Sequence, residues 1–99
     1  MDINDRLVAA KKKAGLSVTD MGHWFGAHRR TVDSWLRGVV PHAFRHNQIL
    51  TKLDLLEKAI RVGVYFPIPM TVTQYDRKNY LMQVYNGVAG RVSKARASK

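Results

Sequence analysis

Three arginines lie close to a histidine, a serine and an aspartate between positions 28 and 37. The set comprises His28, Arg29, Arg30, Asp33, Ser34 and Arg37. An arginine guanidinium forms paired hydrogen bonds with the O6 and N7 atoms of guanine, and it also binds phosphate oxygens. Asp33 is one helical turn from all three arginines, so its carboxylate either holds their guanidinium groups or accepts from a cytosine amino group. These residue types suit nucleic-acid recognition, although a solvated basic helix of an ordinary helical domain has the same composition.

The residues between these polar positions predict the helix that carries them. At 3.6 residues per turn, one side of the helix is formed by Thr31, Val32, Trp35 and Leu36. That side anchors the helix in a core, and the arginines then project outward. We predict that the helix starts at His28 or Arg29 and stops at Gly38, because Pro41 prevents its continuation.

A second short helix is predicted immediately before the basic one. Ser17 is a suitable N-cap, and Asp20 follows three residues later, where a carboxylate favours the positive helix end. Met21 and Phe25 form an apolar pair one turn apart, and Gly26 ends the helix. Two short helices joined by a tight turn form a helix-turn-helix, which places its second helix in the major groove of DNA.

The chain from about Leu7 to Ile60 resembles the helix-turn-helix domain of the lambda-repressor and Cro-like family of phage and bacterial regulators. The matching residues are Gly15-Leu16-Ser17, Met21-Gly22, Gly26, Thr31-Val32, Trp35, Arg37-Gly38 and Pro41. The resemblance implies that Gly22 allows close packing of the second short helix. It also implies a DNA-binding surface made by Lys11, Lys12, Lys13, Ser17, Thr19, His28, Arg29, Arg30, Asp33, Ser34 and Arg37.

Within that surface, the resemblance assigns Arg29, Arg30, Asp33 and Ser34 to base edges. Thr19, His28, Arg37 and one of the three lysines are expected nearer the DNA backbone. Some positions depart from the family pattern: Val18 stands where a glutamine is common, and Leu36 with Lys11 replaces a frequent Glu–Arg pair. The expected fold is unaffected by these changes, but the family's operator contacts do not transfer in detail.

The remaining sequence predicts an all-α fold of four to five helices with an extended, proline-containing segment. A first helix covers residues 3–14 and a longer one covers residues 43–62. The longer helix has a predicted buried stripe of Phe44, Ile49, Leu53, Leu56 and Ile60. Residues 62–72 contain Pro67 and Pro69, so they form an edge strand at most or an extended linker. A final helix is expected near Thr73, which with Asp76 offers a capping box.

The sequence allows more than one role for the C-terminal third of the chain. Leu81, Tyr85, Val88 and Val92 recur at helical spacing and form an apolar seam. We divide the chain into a DNA-binding domain (1–62), a dimerisation or assembly element (63–92) and a basic flexible tail (93–99). Homodimerisation is the favoured use of the seam, because one short helix reads few base pairs. Packing onto the same chain and docking to a partner protein are the alternatives.

Composition and charge limit the class of partner. Seventeen basic and seven acidic residues give the 99-residue chain a net charge of +10, which favours a polyanion, and 45% hydrophobic residues predict a folded domain. No apolar run is long enough for a membrane span, the N-terminus lacks a signal-peptide core, and cysteine is absent. These features favour a cytoplasmic protein. His42 and His46 have metal-ligand spacing, but no third ligand matches them, so no cofactor is expected.

No arrangement of nucleophile, acid and base suggests an enzyme. The favoured function is a sequence-specific, double-stranded-DNA-binding transcriptional regulator, a repressor-like homodimer of phage or bacterial origin. The first alternative is a phage DNA-packaging or assembly protein similar to small terminases. The second is an adaptor that uses the same helix-turn-helix to dock to a protein.

Overall fold

The computed structural model of the protein consists of five helices and describes residues 2–97, with side chains described as far as Ala89. The helices are α1 (Ile3–Ala14), α2 (Val18–Phe25), α3 (Arg29–Leu36), α4 (Ala43–Val62) and α5 (Arg77–Ala97). Residues 2–97 contain no strand, so the all-α prediction is confirmed. The predicted tail, 93–99, has backbone described only to Ala97, and its side chains lie outside the described residues.

Local sequence signals set the ends of α1. The Asp2 side chain accepts a hydrogen bond from the Asp5 amide at 2.9 Å, which satisfies one free donor of the first turn. Gly15 ends the helix in the left-handed conformation at φ +66°, where a side chain would be strained. The apolar face between these ends consists of Ile3, Leu7, Ala10 and Ala14, all buried as the periodicity predicts.

The long helix α4 has the predicted bounds, but its buried stripe differs from the prediction. Ile49, Leu53 and Leu56 are buried as expected, with Ala59 as a further member. Phe44 was predicted in the stripe but is 79% exposed, because the first turn of α4 extends past the core. Its ring lies against His42, with the centroids 4.8 Å apart. Ile60 is half-buried at the edge of the core.

An ion-pair network joins α4 to α1. The Arg6 guanidinium lies 2.7 Å from the Asp54 carboxylate and 2.6 Å from that of Glu57. These hydrogen bonds and charges raise the pKa of Arg6 above its ordinary value. The network therefore fixes the register of α1 on α4 at the edge of the core.

The connection between α4 and α5 is irregular, with the extended character that its prolines predict. Tyr65, Phe66 and Ile68 are half-buried and pack against the core, while Pro67 and Pro69 are exposed. The strand alternative is wrong, since residues 63–76 form no bridge. The connection therefore lies across the core instead of looping away from it.

The start of α5 is later than predicted. We expected Thr73 to cap the helix, whereas the helix begins at Arg77 and the Asp76 carbonyl accepts from the Tyr80 amide at 2.9 Å. The Thr73 hydroxyl donates to the Asp76 carboxylate at 2.9 Å within a turn that precedes the helix. The Thr–Asp pair is thus a turn motif, and Asp76 takes the N-cap position.

The apolar seam of α5 packs onto its own chain as far as the side chains are described. Leu81, Val84 and Val88 are buried, and Tyr85 packs edge-on against Trp24 at 5.3 Å. Helix α5 contacts α2 and α4 and shares one core with residues 3–59. Intramolecular packing therefore uses the described part of the seam; Val92 lies outside it. Whether residues 63–92 also support assembly stays a prediction.

A buried ion pair attaches α5 to α2. The Asp20 side chain is 3% exposed, and both its oxygens accept from the Arg77 guanidinium, at 3.0 Å from Nε and 2.5 Å from Nη2. Burial alone would raise the pKa of Asp20. The hydrogen bonds from Arg77 and from the Ser17 amide outweigh burial and hold this pKa below its ordinary value. The ionised carboxylate is therefore the form that the fold stabilises.

We expect Asp20→Asn to lower the free energy of unfolding by about 1.5–3 kcal/mol near neutral pH, because it removes a charged hydrogen-bond partner of Arg77. The folded-state pKa of Asp20 is depressed. The contribution of Asp20 to the free energy of unfolding is therefore present above its unfolded-state pKa, and it is lost as the pH falls through its folded-state pKa. Urea unfolding of both proteins across the acid range measures this difference. If the wild-type protein kept the same advantage in free energy of unfolding down to the lowest pH, the depressed pKa of Asp20 would be contradicted.

Candidate nucleic-acid interface

Helix α3 is held against the core by its predicted apolar side. Val32 is fully buried and Trp35 is 4% exposed, with its ring perpendicular to that of Phe25 at 6.1 Å. The Asn4 amide donates to the Trp35 carbonyl at 2.8 Å and to the Val39 carbonyl at 3.0 Å. Helix α3 is thereby fixed both to α2 and to α1, which sets the direction of its outer side.

The two ends of α3 confirm the predicted start and fall within two residues of the predicted stop. His28 is the N-cap, and its Nδ1 atom accepts from the Arg30 amide at 3.1 Å. The last helical residue is Leu36, and Arg37 caps the carbonyl end. The imidazole of His28 is thus committed at one nitrogen, and its other nitrogen is free to meet a ligand.

The outer side of α3 brings most of the predicted site residues into one open concavity of about 610 Å³. Its lining consists of Val18, His28, Arg29, Arg30, Asp33 and Arg37. The four basic side chains are exposed, and Asp33 is half-buried. We call this surface the α3 concavity.

Charge within the α3 concavity is only partly compensated. The Arg37 guanidinium lies 2.7 Å from the Asp33 carboxylate, so Asp33 holds one of the three predicted arginines. In the described part of the chain, no carboxylate lies within 4.0 Å of Arg29 or Arg30. Two guanidinium groups at the start of α3 are therefore available to an anionic partner.

Ser34 is not part of the lining of the α3 concavity. It is half-buried, and its hydroxyl donates to the Thr31 carbonyl at 2.6 Å. Such a bond back to the preceding turn is common for helical serines. The Ser34 hydroxyl can then only accept a hydrogen bond from a ligand, whereas the sequence predicts that Ser34 contacts a base edge.

The first turn of α2 lies at a neighbouring concavity of about 680 Å³. Ser17 and Thr19 are exposed there, together with His23 and Gln74, and the half-buried Arg77 also lines this concavity. The Ser17 hydroxyl accepts from the Asp20 amide at 3.0 Å, and the Asp20 carboxylate accepts from the Ser17 amide, which completes a capping box. The Ser17 hydroxyl proton remains available to an acceptor on a ligand.

The three lysines of α1 are not brought into the α3 concavity. Lys12 and Lys13 are exposed and Lys11 is half-buried in the last turn of α1. Lys13 lies beside Glu57 and Arg61, in a shallow depression between α1 and α4. Their cationic end complements the dipole of α1. Any contact of these lysines with a ligand of α3 remains a prediction from the resemblance.

Two residues that line these two concavities are not among the predicted DNA contacts. Val18, noted in the sequence only as a departure from the family pattern, lines the α3 concavity. Arg77, far away in sequence, lies beside the first turn of α2 through its bond to Asp20. A carboxylate at a buried position signals that a cation must approach it. The sequence does not indicate which of the 17 basic residues does so.

A close approach of backbone atoms sets the turn between α2 and α3. The Ala27 amide donates to the Gly22 carbonyl at 3.0 Å. A Cβ atom at Gly22 would lie 2.6 Å from the Ala27 carbonyl oxygen, which is closer than such atoms pack. Glycine at position 22 is therefore required for this turn, in agreement with the role that the resemblance implies for it.

Comparison of the chain with family models, with curated proteins and with solved structures finds no match. The described residues contain no group of three or more metal-ligating side chains. Within the same residues, no helix has both the length and the apolar character needed to cross a membrane. The interpretation of this surface therefore depends on its own geometry.

We expect Gly22→Ala to lower the free energy of unfolding by about 1–3 kcal/mol, because the added methyl group forces α2 away from the turn. Gly87→Ala is the matched control. Its Cβ would have only the Tyr65 hydroxyl nearby, at 4.0 Å, and alanine favours helix by about 1 kcal/mol. Chemical denaturation of the two variants should therefore give shifts of opposite sign. Equal stability of Gly22→Ala and wild type would disprove the close turn.

Proposed function

We propose that this protein is a sequence-specific, double-stranded-DNA-binding transcriptional regulator of the lambda-repressor and Cro-like type. It acts in the cytoplasm of a bacterium or of a phage-infected host. One observation carries the proposal: the outer side of an anchored eight-residue helix, beside the first turn of α2, presents Arg29 and Arg30, and no carboxylate of the described residues lies within 4.0 Å of either. Helix α3 enters the major groove, and α2 crosses the phosphate backbone.

Each side chain of the α3 concavity has a distinct part in this mechanism. Arg29 and Arg30 bind guanine O6 and N7 atoms or phosphates, since no carboxylate in the described part of the chain engages them. Asp33 orients Arg37 through their 2.7 Å ion pair, so Arg37 reaches the backbone in a defined direction. Val18 offers an apolar contact of the kind that a thymine methyl group fits.

A homodimer completes the proposal, because one α3 helix reads too few base pairs for specificity. The described part of the α5 seam is used within the monomer, so we place the pairing on a different surface. Val39, Val40 and Phe44 are exposed apolar residues that follow α3 directly in the chain. Because these residues lie close to α3 in the chain, we place the contact with a second copy there, and the two-fold symmetry of such a dimer matches that of an inverted repeat.

The first experiment is selection of bound duplexes from a random pool at roughly physiological salt, where phosphate binding alone is weakened. Enrichment of an inverted repeat with half-sites about one helical turn apart supports the regulator. Binding without enrichment supports a packaging or architectural role instead. Absence of binding refutes the DNA proposal and leaves the adaptor.

Arg30→Ala is expected to weaken binding to the selected site by about 1–3 kcal/mol and to relax preference at one base pair. Arg61→Ala removes the same charge at the end of α4 and serves as the control. Competition titrations against single-base variants of the site provide the measurement. A uniform loss of affinity for all sequences would show that Arg30 binds phosphate only.

Phe44→Ser is expected to weaken dimerisation while changing the free energy of unfolding by no more than about 0.5 kcal/mol, because Phe44 is 79% exposed. Val64→Ser, at a 73% exposed residue of the connection to α5, is the control. Sedimentation equilibrium with and without the inverted repeat reports the pairing. Identical behaviour of both variants would exclude this dimer surface.

A further inference from the structure

A second basic surface lies on the other side of α2, in a groove of about 360 Å³ between α2, α4 and α5. Its lining includes the apolar side chains of Trp24, Leu81 and Met82 and the basic side chains of His23, Lys52 and Lys78. We call it the α2–α5 groove. None of its lining residues belongs to the α3 concavity.

Within the part of the chain that the structure describes, the two lysines of this groove form no salt bridge. No acidic residue lines the groove, and among the described residues no carboxylate lies within 4.0 Å of Lys52 or Lys78. The nearest carboxylate in the sequence of α2, Asp20, is engaged by Arg77. Lys52 makes only a long hydrogen bond, 3.4 Å, to the Phe25 carbonyl, and its Nζ atom lies 5.9 Å from the centroid of the Tyr85 ring. Both ammonium groups are therefore available to an anion.

The apolar part of the groove lining is adaptable. Leu81 is 1% exposed, whereas its neighbour Met82 is 48% exposed although it stands beside the core. Methionine side chains fit varied apolar partners, because they are unbranched and polarisable. An apolar side chain from outside would cover Met82, with cations on either side of it.

We propose that the α2–α5 groove binds an acidic segment of a partner protein, in which a large apolar side chain is flanked by aspartate or glutamate. The apolar side chain packs on the exposed Met82, and the carboxylates pair with Lys52 and Lys78. Charge complementarity and the apolar lining together select this partner. The site is independent of DNA binding by α3, so it stands whether or not the proposed regulator is correct.

Nucleic acid fits the groove less well than an acidic peptide does. Duplex DNA presents phosphates on a convex surface and has little apolar surface for Met82 to cover. Single strands bind where bases stack on open aromatic rings. Here Trp24 is 3% exposed, and Lys52 lies over the ring of Tyr85. The groove thus offers cations and an apolar lining without a stacking platform.

The test uses the full chain and a fluorescein-labelled peptide of about 12 residues, with leucine and phenylalanine one helical turn apart and acidic residues elsewhere. We expect saturable binding by fluorescence anisotropy that weakens as salt is added. Lys78→Glu should reduce the affinity about three- to tenfold, because it turns an attraction into a repulsion. Arg61→Glu makes the same change in net charge outside the groove and should leave the affinity unchanged.

Two further comparisons separate specific docking from general charge attraction. Met82→Ser should lower the affinity for the original peptide. It should not change the affinity for a peptide whose leucine and phenylalanine are replaced by serine. Thermal melting confirms that each protein variant is folded. Equal losses in Lys78→Glu and Arg61→Glu, or no binding of the acidic peptide, would overturn the proposal. It would also be overturned if Lys78→Glu impaired binding of a single-stranded oligonucleotide more than binding of the peptide. Duplex binding by Arg30→Ala, measured in parallel, reports on the DNA proposal separately.

Discussion

The buried carboxylate of Asp20 is the constraint on which the arrangement of this protein depends. A charge at 3% exposure is tolerated only with full compensation, and Asp20 receives it from the Ser17 amide and the Arg77 guanidinium. The first bond fixes the start of α2, and the second fixes α5 to it across 57 residues of sequence. Helix α2 is consequently held on both sides, and it in turn supports α3 through the Gly22 turn and the Phe25–Trp35 contact.

Local signals account for the part of the fold that sequence reasoning predicts well. Helices α1 to α4 begin and end within two residues of their predicted limits, because glycines and N-caps act within one turn of the chain. The same signals mislead where a turn imitates a cap. Thr73 and Asp76 have capping-box spacing, yet their hydrogen bond belongs to a turn before α5. Phe44 shows a second limit: periodicity gives the direction of a side chain but not where the core ends.

The residues of the candidate site also fall into two groups, those placed by local sequence and those placed by tertiary packing. His28, Arg29, Arg30, Asp33 and Arg37 come together because they share one short helix and its cap, which periodicity predicts. Lysines 11–13 depend on how α1 packs, and Lys13 lies instead beside α4. Arg77 reaches α2 through tertiary packing alone, so no spacing in the sequence reveals it. Relations within one helix are predictable from sequence spacing, whereas those between helices depend on tertiary packing.

Two of the basic surfaces of this chain, which has a net charge of +10, differ in the kind of anionic partner that they suit. Asp54 and Glu57 are engaged by Arg6, and Asp20 by Arg77, so these three carboxylates do not compensate either of the two surfaces. Among the described residues, cations without a carboxylate within 4.0 Å are found at α3 and at the α2–α5 groove, and also at other exposed positions such as Lys12 and Lys13. The α3 concavity and the α2–α5 groove differ in the side chains that accompany their charges. The lining of the α3 concavity is mostly polar, whereas that of the groove is mostly apolar. Phosphates need only the first kind of surface, since they gain nothing from apolar contact. A protein segment gains from the second kind, because burial of its apolar side chain adds to the ionic attraction.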